Sequence, residues 1–341
     1  MDVEPQRLEE LSQALSLGLY DYLRKSKSKG FVLSLSGGAD SATCAVMVAE
    51  MVRRATNELG WSVFKQTLNL PESVDDCNAA VNHLLATAYQ ASRHSTAETL
   101  NAARTLAESI GATFYHWSIQ EEVDSYSAKI EQVLGRKLTW QTDDITLQNI
   151  QARARSPIIW MLANARNSIL LTTSNRSEGD VGYATMDGDT SGSLAPIAGI
   201  PKVTVLEFLK WAEHHLGYTS LKAVNEMQPT AELRPSEKHQ TDEDDLMPYA
   251  TMVKIERCAI LQRKDPVEVY HQLKTEFADR NLLKIHIRKF FRLWAINQWK
   301  RERLAPSFHL DDLNVDPRTW CRFPILSSGF ARELEELDKQ E

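Results

Sequence analysis

Leu8, Leu11, Leu15, Leu19 and Tyr22 recur every three or four residues and draw one apolar stripe, which predicts an amphipathic opening helix. The polar stretch 25–30 ends it. Phe31, Val32 and Leu33 then run together as a short buried strand reads. After a Ser/Gly turn, Ala42, Ala45, Val46, Ala49 and Val52 return to helical spacing. Further on, the pattern predicts a second strand at 63–70, closed by Pro71, and a polar helix over 74–94. A helix over 96–110 stops at Gly111, a third strand spans 112–117, and a helix over 119–134 ends at Gly135. A long helical stretch at 145–167 carries Pro157 as a kink, and a fourth strand covers 168–173.

Strand alternating with helix over 31–173 predicts an α/β fold, a mostly parallel sheet with helices on both faces. Residues 179–202, rich in Gly, Asp and Ser, read as a long loop, and loops of that length carry function. From 204 the pattern turns helical, at 204–216, 247–261, 265–278 and 284–301, before a Pro-containing tail and a charged last helix at 330–339. The predicted organisation is one domain over 1–325. It has an α/β core at 31–216, a mostly helical extension at 217–325, and a charged C-terminal helix or tail at 326–341.

Composition narrows the function classes. Of 341 residues, 43% are hydrophobic and 25% charged, as in a soluble globular protein. No apolar run approaches the roughly 20 residues of a membrane helix, so no membrane role is expected. The acidic N-terminus lacks a cleavable signal. Cys44, Cys77, Cys258 and Cys321 form no CxxC, which fits a reduced, cytoplasmic setting. The net charge of −7 weighs against nucleic-acid partners. Basic residues nevertheless gather at 284–303 and acidic ones at 237–245.

The stretch Ser34, Leu35, Ser36, Gly37, Gly38, Ala39, Asp40, Ser41 carries the chemistry. A strand, a Ser/Gly turn and a helix start make an anion site, because backbone N–H groups and the helix dipole point at the ligand. Consecutive glycines admit a polyphosphate close to the backbone. Ser36 and Ser41 add hydroxyls, and Asp40 adds a carboxylate able to hold Mg²⁺ against phosphates. The bland alternative is an ordinary βα turn with Asp40 as N-cap. Neither G-x-x-x-x-G-K-[ST] nor G-x-G-x-x-G occurs, so the two common phosphate-loop fingerprints are absent.

The run 36–41 resembles the pyrophosphate loop of the N-type ATP pyrophosphatases, which split ATP between the α and β phosphates and adenylate a substrate oxygen. Further stretches sharpen the resemblance: Gln148 to Arg155, Thr172 to Glu178, Gly188-Asp189 through Pro196 to Lys202, and Pro229-Thr230-Ala231-Glu232-Leu233. In this order they resemble the NAD synthetase family, and Gln240 to Glu243 with Gln298 to Arg301 look like its glutamine-dependent branch. The resemblance covers residues 5 to about 325. It implies a Rossmann-like sheet of the adenine nucleotide alpha hydrolase kind. The implied reaction is amidation of deamido-NAD with ATP and ammonia, giving NAD, AMP and pyrophosphate. The alternative within the superfamily is amidation of a different nucleotide, as in GMP synthetase.

Carried over residue by residue, the resemblance implies ATP contacts at Ser34 to Ser41, Thr173, Lys202 and Thr230. Asp40 and Glu178 would be the Mg²⁺ carboxylates, with Asp40 and Lys202 as the catalytic pair. Asn149, Arg153, Glu178, Tyr183 and Lys300 would meet deamido-NAD. Arg153 and Arg155 lie two apart, about 200° around a helix, so only one faces the site; the resemblance selects Arg153 and leaves Arg155 as a surface or ion-pair residue. Trp160, Trp294 and Trp299 read as packing residues. The acidic run 242–245 reads as a solvated face, with Asp242 and Glu243 as alternative ammonia-site residues. Met186 and Ser193 stand where ammonia-dependent relatives carry Lys and Asp.

The synthetase pattern begins within the first 30 residues, which leaves no room for the nitrilase-like amidase of the glutamine-dependent branch. Free ammonia is therefore the expected nitrogen source, with a separate glutamine amidase chain as the second route. A homodimer is expected from the family.

Overall fold

The computed structural model describes residues 3–227, 242–325, 327 and 329–340. The chain opens with α1 (Val3–Ser26), whose Leu8, Leu15, Leu19 and Leu23 are buried. Then come β1 (Phe31–Ser34), α2 (Ala39–Leu59), α3 (Trp61–Thr67), α4 (Cys77–Leu84), β2 (Leu85–Ala91), α5 (Ala97–Ser109), β3 (Thr113–Ser118), α6 (Gln120–Leu134), α7 (Asp144–Ala165) and β4 (Ile169–Leu171). The four strands form one parallel sheet in the order β3-β2-β1-β4. Alternate side chains serve opposite faces. Phe31 and Leu33 join the large core under α1, α2 and α5, whereas Val32, Ala86, Ala88 and Leu170 pack against Ile159 and Ala163 of α7. The sheet is thus covered on both sides, as the alternation of elements predicts.

Two expected elements are corrected. Residues 61–67 form a helix, not a strand; Trp61, Phe64 and Leu68 recur at helical spacing, with Phe64 buried and Val63 exposed. The expected helix over 74–94 is α4 followed directly by the second strand, β2. No Gly or Pro punctuates the change, and Ala86, Thr87 and Ala88 have no strong strand preference of their own. Burial between β1 and β3 makes them a strand.

After β4 come α8 (Arg176–Val181) and then turns as far as α9 (Lys202–His215), so most of 179–202 is irregular, as its composition suggests. The rest is helical: α10 (Lys222–Glu226), α11 (Asp242–Asp245), α12 (Tyr249–Glu256) continuing as a π-turn over Arg257–Leu261, α13 (Pro266–Leu273), α14 (Arg280–Ile296), α15 (Gln298–Arg301) and α16 (Ala331–Asp338). Of these, α12, α13 and α14 share a second core that includes Met252, Ile255, Tyr270, Ile287 and Phe290, whereas Val224 of α10 packs in the first. Leu334 and Leu337 of α16 pack into the second core as well. Among the described residues no helix is long and apolar enough to cross a membrane.

Candidate active site

In an open parallel sheet, ligands bind beyond the carboxyl ends of strands where the strand order reverses. Here β1 connects onward to β2 on one side while β4 lies on the other, so the reversal falls between β1 and β4. A cavity of about 930 Å³ opens there. Ser34, Ser36, Gly37, Gly38, Ala39, Asp40 and Ser41 form one wall.

Sterics and hydrogen bonds shape that wall. Gly37 has φ +85°, and a Cβ there would stand 2.3 Å from the Thr99 carbonyl oxygen, so only glycine fits. The Gly38 N–H donates to Ser36 Oγ at 3.3 Å, and Ser41 Oγ donates to the Gly38 carbonyl at 3.1 Å. The serine hydroxyls therefore build the turn. Gly38 is the N-cap of α2 and offers no side-chain cap, so Asp40 sits in the first turn and is not the cap. The first amides of α2 keep the positive dipole end for a ligand. Leu35, also in the expected contact set, does not line the cavity. Its side chain is fully buried and its N–H donates to the Ala88 carbonyl at 2.9 Å, so it braces the loop from below.

The facing wall grows from β4. Thr173 lines the cavity, and Asn175 caps α8 in a reciprocal box with Glu178. The Asn175 Nδ2 donates to Asp40 Oδ1 at 3.0 Å and to Glu178 Oε1 at 2.8 Å, so one amide spans both expected carboxylates. Lys202, the buried first residue of α9, ion-pairs with the other oxygen of Asp40. Two hard carboxylates, one from each wall and joined by the Asn175 amide, suit Mg²⁺, which takes one or two carboxylates and completes its shell with phosphate oxygens and water. Among the described residues no group of three or more His, Cys, Asp or Glu gathers as a metal cage. The donor set thus fits a metal that arrives with a polyphosphate.

The remaining expected residues divide. Asn149 lies on the wall and accepts from Thr185 Oγ1 at 2.8 Å. Tyr183 also lines it and donates to Asp245 Oδ2 at 2.9 Å. Lys300 Nζ donates to the carbonyls of Gly182 and Ala184 at 2.8 and 2.9 Å. Burial pulls the Lys300 pKa down, against the opposing charge of Asp189. Thr230 and the rest of 229–233 lie outside the described residues, as do Gln240 and Thr241. Exposed Glu243 accepts from the Tyr249 N–H at 2.7 Å.

The two arginines are set apart. Arg153 is exposed, is not part of the cavity wall, and donates to the Met186 carbonyl at 3.0 Å. Arg155 lines the cavity and donates through Nε to the Gln90 carbonyl at 3.2 Å. On α7 the cavity face runs through Asn149, Ala152, Arg155, Ser156 and Ile159. That three-and-four spacing places Arg155 on the cavity face. Asn175 was also missed, although Asn-x-x-Glu at a helix start is itself a capping signature. The Ser193 N–H extends the sheet ladder by donating to the Leu170 carbonyl at 2.7 Å.

Behind α8 lies a buried ionic cluster. Arg176 pairs with Glu256 at 2.5 Å and with Asp311 at 2.8 Å. Burial pushes the Asp180 carboxyl well above the usual range and raises Glu256 to about 7.

A model of the NAD synthase family matches residues 11–303. The chain belongs to the NAD synthase family. The glutamine-dependent NAD(+) synthetase of Oryza sativa subsp. indica is 31% identical over 97% of this chain and 50% of its own length. A solved glutamine-dependent NAD(+) synthetase from Cytophaga hutchinsonii is 54% identical, with a TM-score of 0.88, over 97% of this chain and 56% of that one. The chain thus spans about half the length of the curated relatives it matches. An NMN synthetase from Francisella tularensis, 22% identical with a TM-score of 0.60, shares the NAD synthase fold over 88% of this chain. Family membership and sheet topology agree, since the cavity sits where this fold places its ligands.

Proposed function

We propose that this chain amidates deamido-NAD to NAD with ATP and ammonia, releasing AMP and pyrophosphate. The observation that carries the reading is the pairing of Asp40 and Glu178 across the β1–β4 switch point through one Asn175 amide, beside Lys202 and an uncapped helix start. The carboxylate oxygen of the nicotinate attacks the α-phosphorus, and the bond to the bridging oxygen breaks, so pyrophosphate leaves with the electron pair. The ammonia nitrogen then attacks the acyl carbon, the bond to AMP breaks, and one proton is released to solvent.

Backbone amides of 37–41 hold the leaving phosphates by dipole and hydrogen bond. Lys202 is buried against Asp40 and brings a fixed positive charge to developing negative charge, where preorganisation costs least. Asp40 and Glu178 would hold Mg²⁺, which supplies charge neutralisation at the phosphates. Arg155, Asn149, Tyr183 and Lys300 line the rest of the cavity and would orient the anionic dinucleotide. Arg153 keeps at most an outer role.

Ammonia is the nucleophile at this site whether it arrives free or from a separate glutamine amidase. Exposed Ile130, Val133 and Leu134, which share one side of α6 by their three-and-four spacing, support an apolar face for a second copy of the chain, a homodimer. The free cysteines Cys44, Cys77, Cys258 and Cys321 support work in a reducing compartment such as the cytoplasm.

The test supplies the purified chain with ATP, deamido-NAD and ammonium. AMP, pyrophosphate and NAD in equal amounts are expected. ADP and phosphate would overturn the adenylation step, and preference for nicotinate mononucleotide would overturn the dinucleotide assignment. If ammonium at low millimolar levels matches the rate with glutamine and a partner amidase, the partner route fails.

A further inference from the structure

Helix α8 carries Glu178 yet has only six residues, too few to hold its direction without neighbours. Such a helix also leaves its last carbonyls without intrahelical partners. Here they are met by side chains from more than a hundred residues downstream. Arg301 Nη1 donates to the Asp180 carbonyl at 2.7 Å, and Asn297 Nδ2 to the Val181 carbonyl at 2.7 Å. Lys300 Nζ takes the carbonyls of Gly182 and Ala184.

The donors are themselves fixed. Arg301 is fully buried, bonds Gln298 Oε1 and the Trp294 carbonyl, and lies 3.9 Å over the Trp294 ring. Gly182 ends α8 at φ +63°, and a Cβ there would stand 2.4 Å from the Asn297 Cβ, so the close approach requires glycine. Two cations at a helix C-terminus also match the sign of its dipole.

We propose that Asn297, Lys300 and Arg301 form a side-chain cap on the C-terminal end of α8 and thereby position Glu178 for a metal-bound nucleotide. The proposal rests on the reading of Asp40 and Glu178 as the ligands of that metal. Asn297 and Arg301 are positioning residues that act through α8: each gives a donor to one α8 carbonyl, and the other donors of Arg301 go to Gln298 Oε1 and the Trp294 carbonyl. Asn297 and Lys300 also line the cavity, so the cap and the wall expected to meet the dinucleotide share residues.

The test measures Mn²⁺ uptake in the presence of a non-hydrolysable ATP analogue by titration calorimetry, with thermal unfolding alongside. Asn297→Asp keeps the shape but turns the donor into a negatively charged acceptor facing the Val181 carbonyl; Asn297→Ala removes the side chain without adding charge. Each is expected to weaken Mn²⁺ binding about tenfold, the scale of one lost buried hydrogen bond, with metal-free analogue binding unchanged. Leu283→Ala, buried in the same helical layer, is the control: it lowers the unfolding temperature with Mn²⁺ binding retained. Unchanged Mn²⁺ affinity in both Asn297 variants, or a loss matched by Leu283→Ala, overturns the proposal alone. A wild-type protein that takes up no Mn²⁺ with the analogue overturns the metal reading beneath it.

Discussion

The two ends of the cavity are built by different means. At the β1 end, the loop 35–38 is continuous with a buried strand and a long helix, and its shape comes from local hydrogen bonds and one obligatory glycine. At the other end, the wall from Gly182 to Asp189 has little regular structure, and side chains of α14–α15 and α7 hold it through backbone carbonyls. The first kind of site is rigid because the chain cannot bend otherwise. The second is set by packing between layers, so it can change in evolution without disturbing the sheet. In the proposed function the first end would hold the phosphates of ATP and the second the dinucleotide.

Asp40→Asn is the sharpest way to break the contrast. It keeps the bond from the Asn175 amide but removes the charge facing Lys202 and the metal. The rate of deamido-NAD-dependent AMP release is expected to fall by about 10²–10³, the scale of one preorganised electrostatic contact. A fall under threefold would mean that the rigid end does not carry the phosphate chemistry.

The same contrast explains what could be read from the sequence. The β1 loop and Thr172 to Glu178 are local motifs, and the structure brings both to one switch point. The strand β2 was hidden, because small residues such as Ala86 and Ala88 take strand form from pairing on both sides and not from their own preference. Which of Arg153 and Arg155 lines the cavity was hidden for a related reason. Adjacent helix positions differ by about 100°, and the phase of α7 is set by which stripe packs on the sheet. Ile159 and Ala163 supply that stripe, and they bring Arg155 round to the cavity. The capping of α8 joins residues too far apart for any spacing rule to find.

The packed end is tested by the two arginines. Arg155→Met is expected to raise the KM for deamido-NAD by about 10–100-fold, as for loss of a charge-assisted contact in a partly buried site. Arg153→Met is expected to change it less than about threefold, in keeping with exposed polar contacts. Steady-state kinetics at saturating ATP and ammonium decide the matter. The opposite ranking would return the substrate contact to Arg153 and place the dinucleotide partly outside the cavity seen in one chain.

The smallest effect concerns the cluster behind α8, where packing and charge meet. Burial raises the Glu256 carboxyl from 4.5 to about 7, despite the nearby Arg176 guanidinium. A carboxyl raised on folding is protonated in the native state while the unfolded chain has already released its proton. Between pH 4.5 and 7 the native state thus binds more protons, and this group's contribution to stability declines as pH rises through that window. Glu256→Gln keeps a neutral side chain of the same size and removes the titration. The difference in urea midpoint between wild type and Glu256→Gln should therefore move in favour of the variant from pH 5 to pH 7.5. If the difference is flat, or moves toward the wild type, Glu256 is ionised throughout and Arg176 holds a full ion pair in the core. In that case the packed end would owe its order to charge pairing, as the rigid end owes part of its order to Asp40 and Lys202.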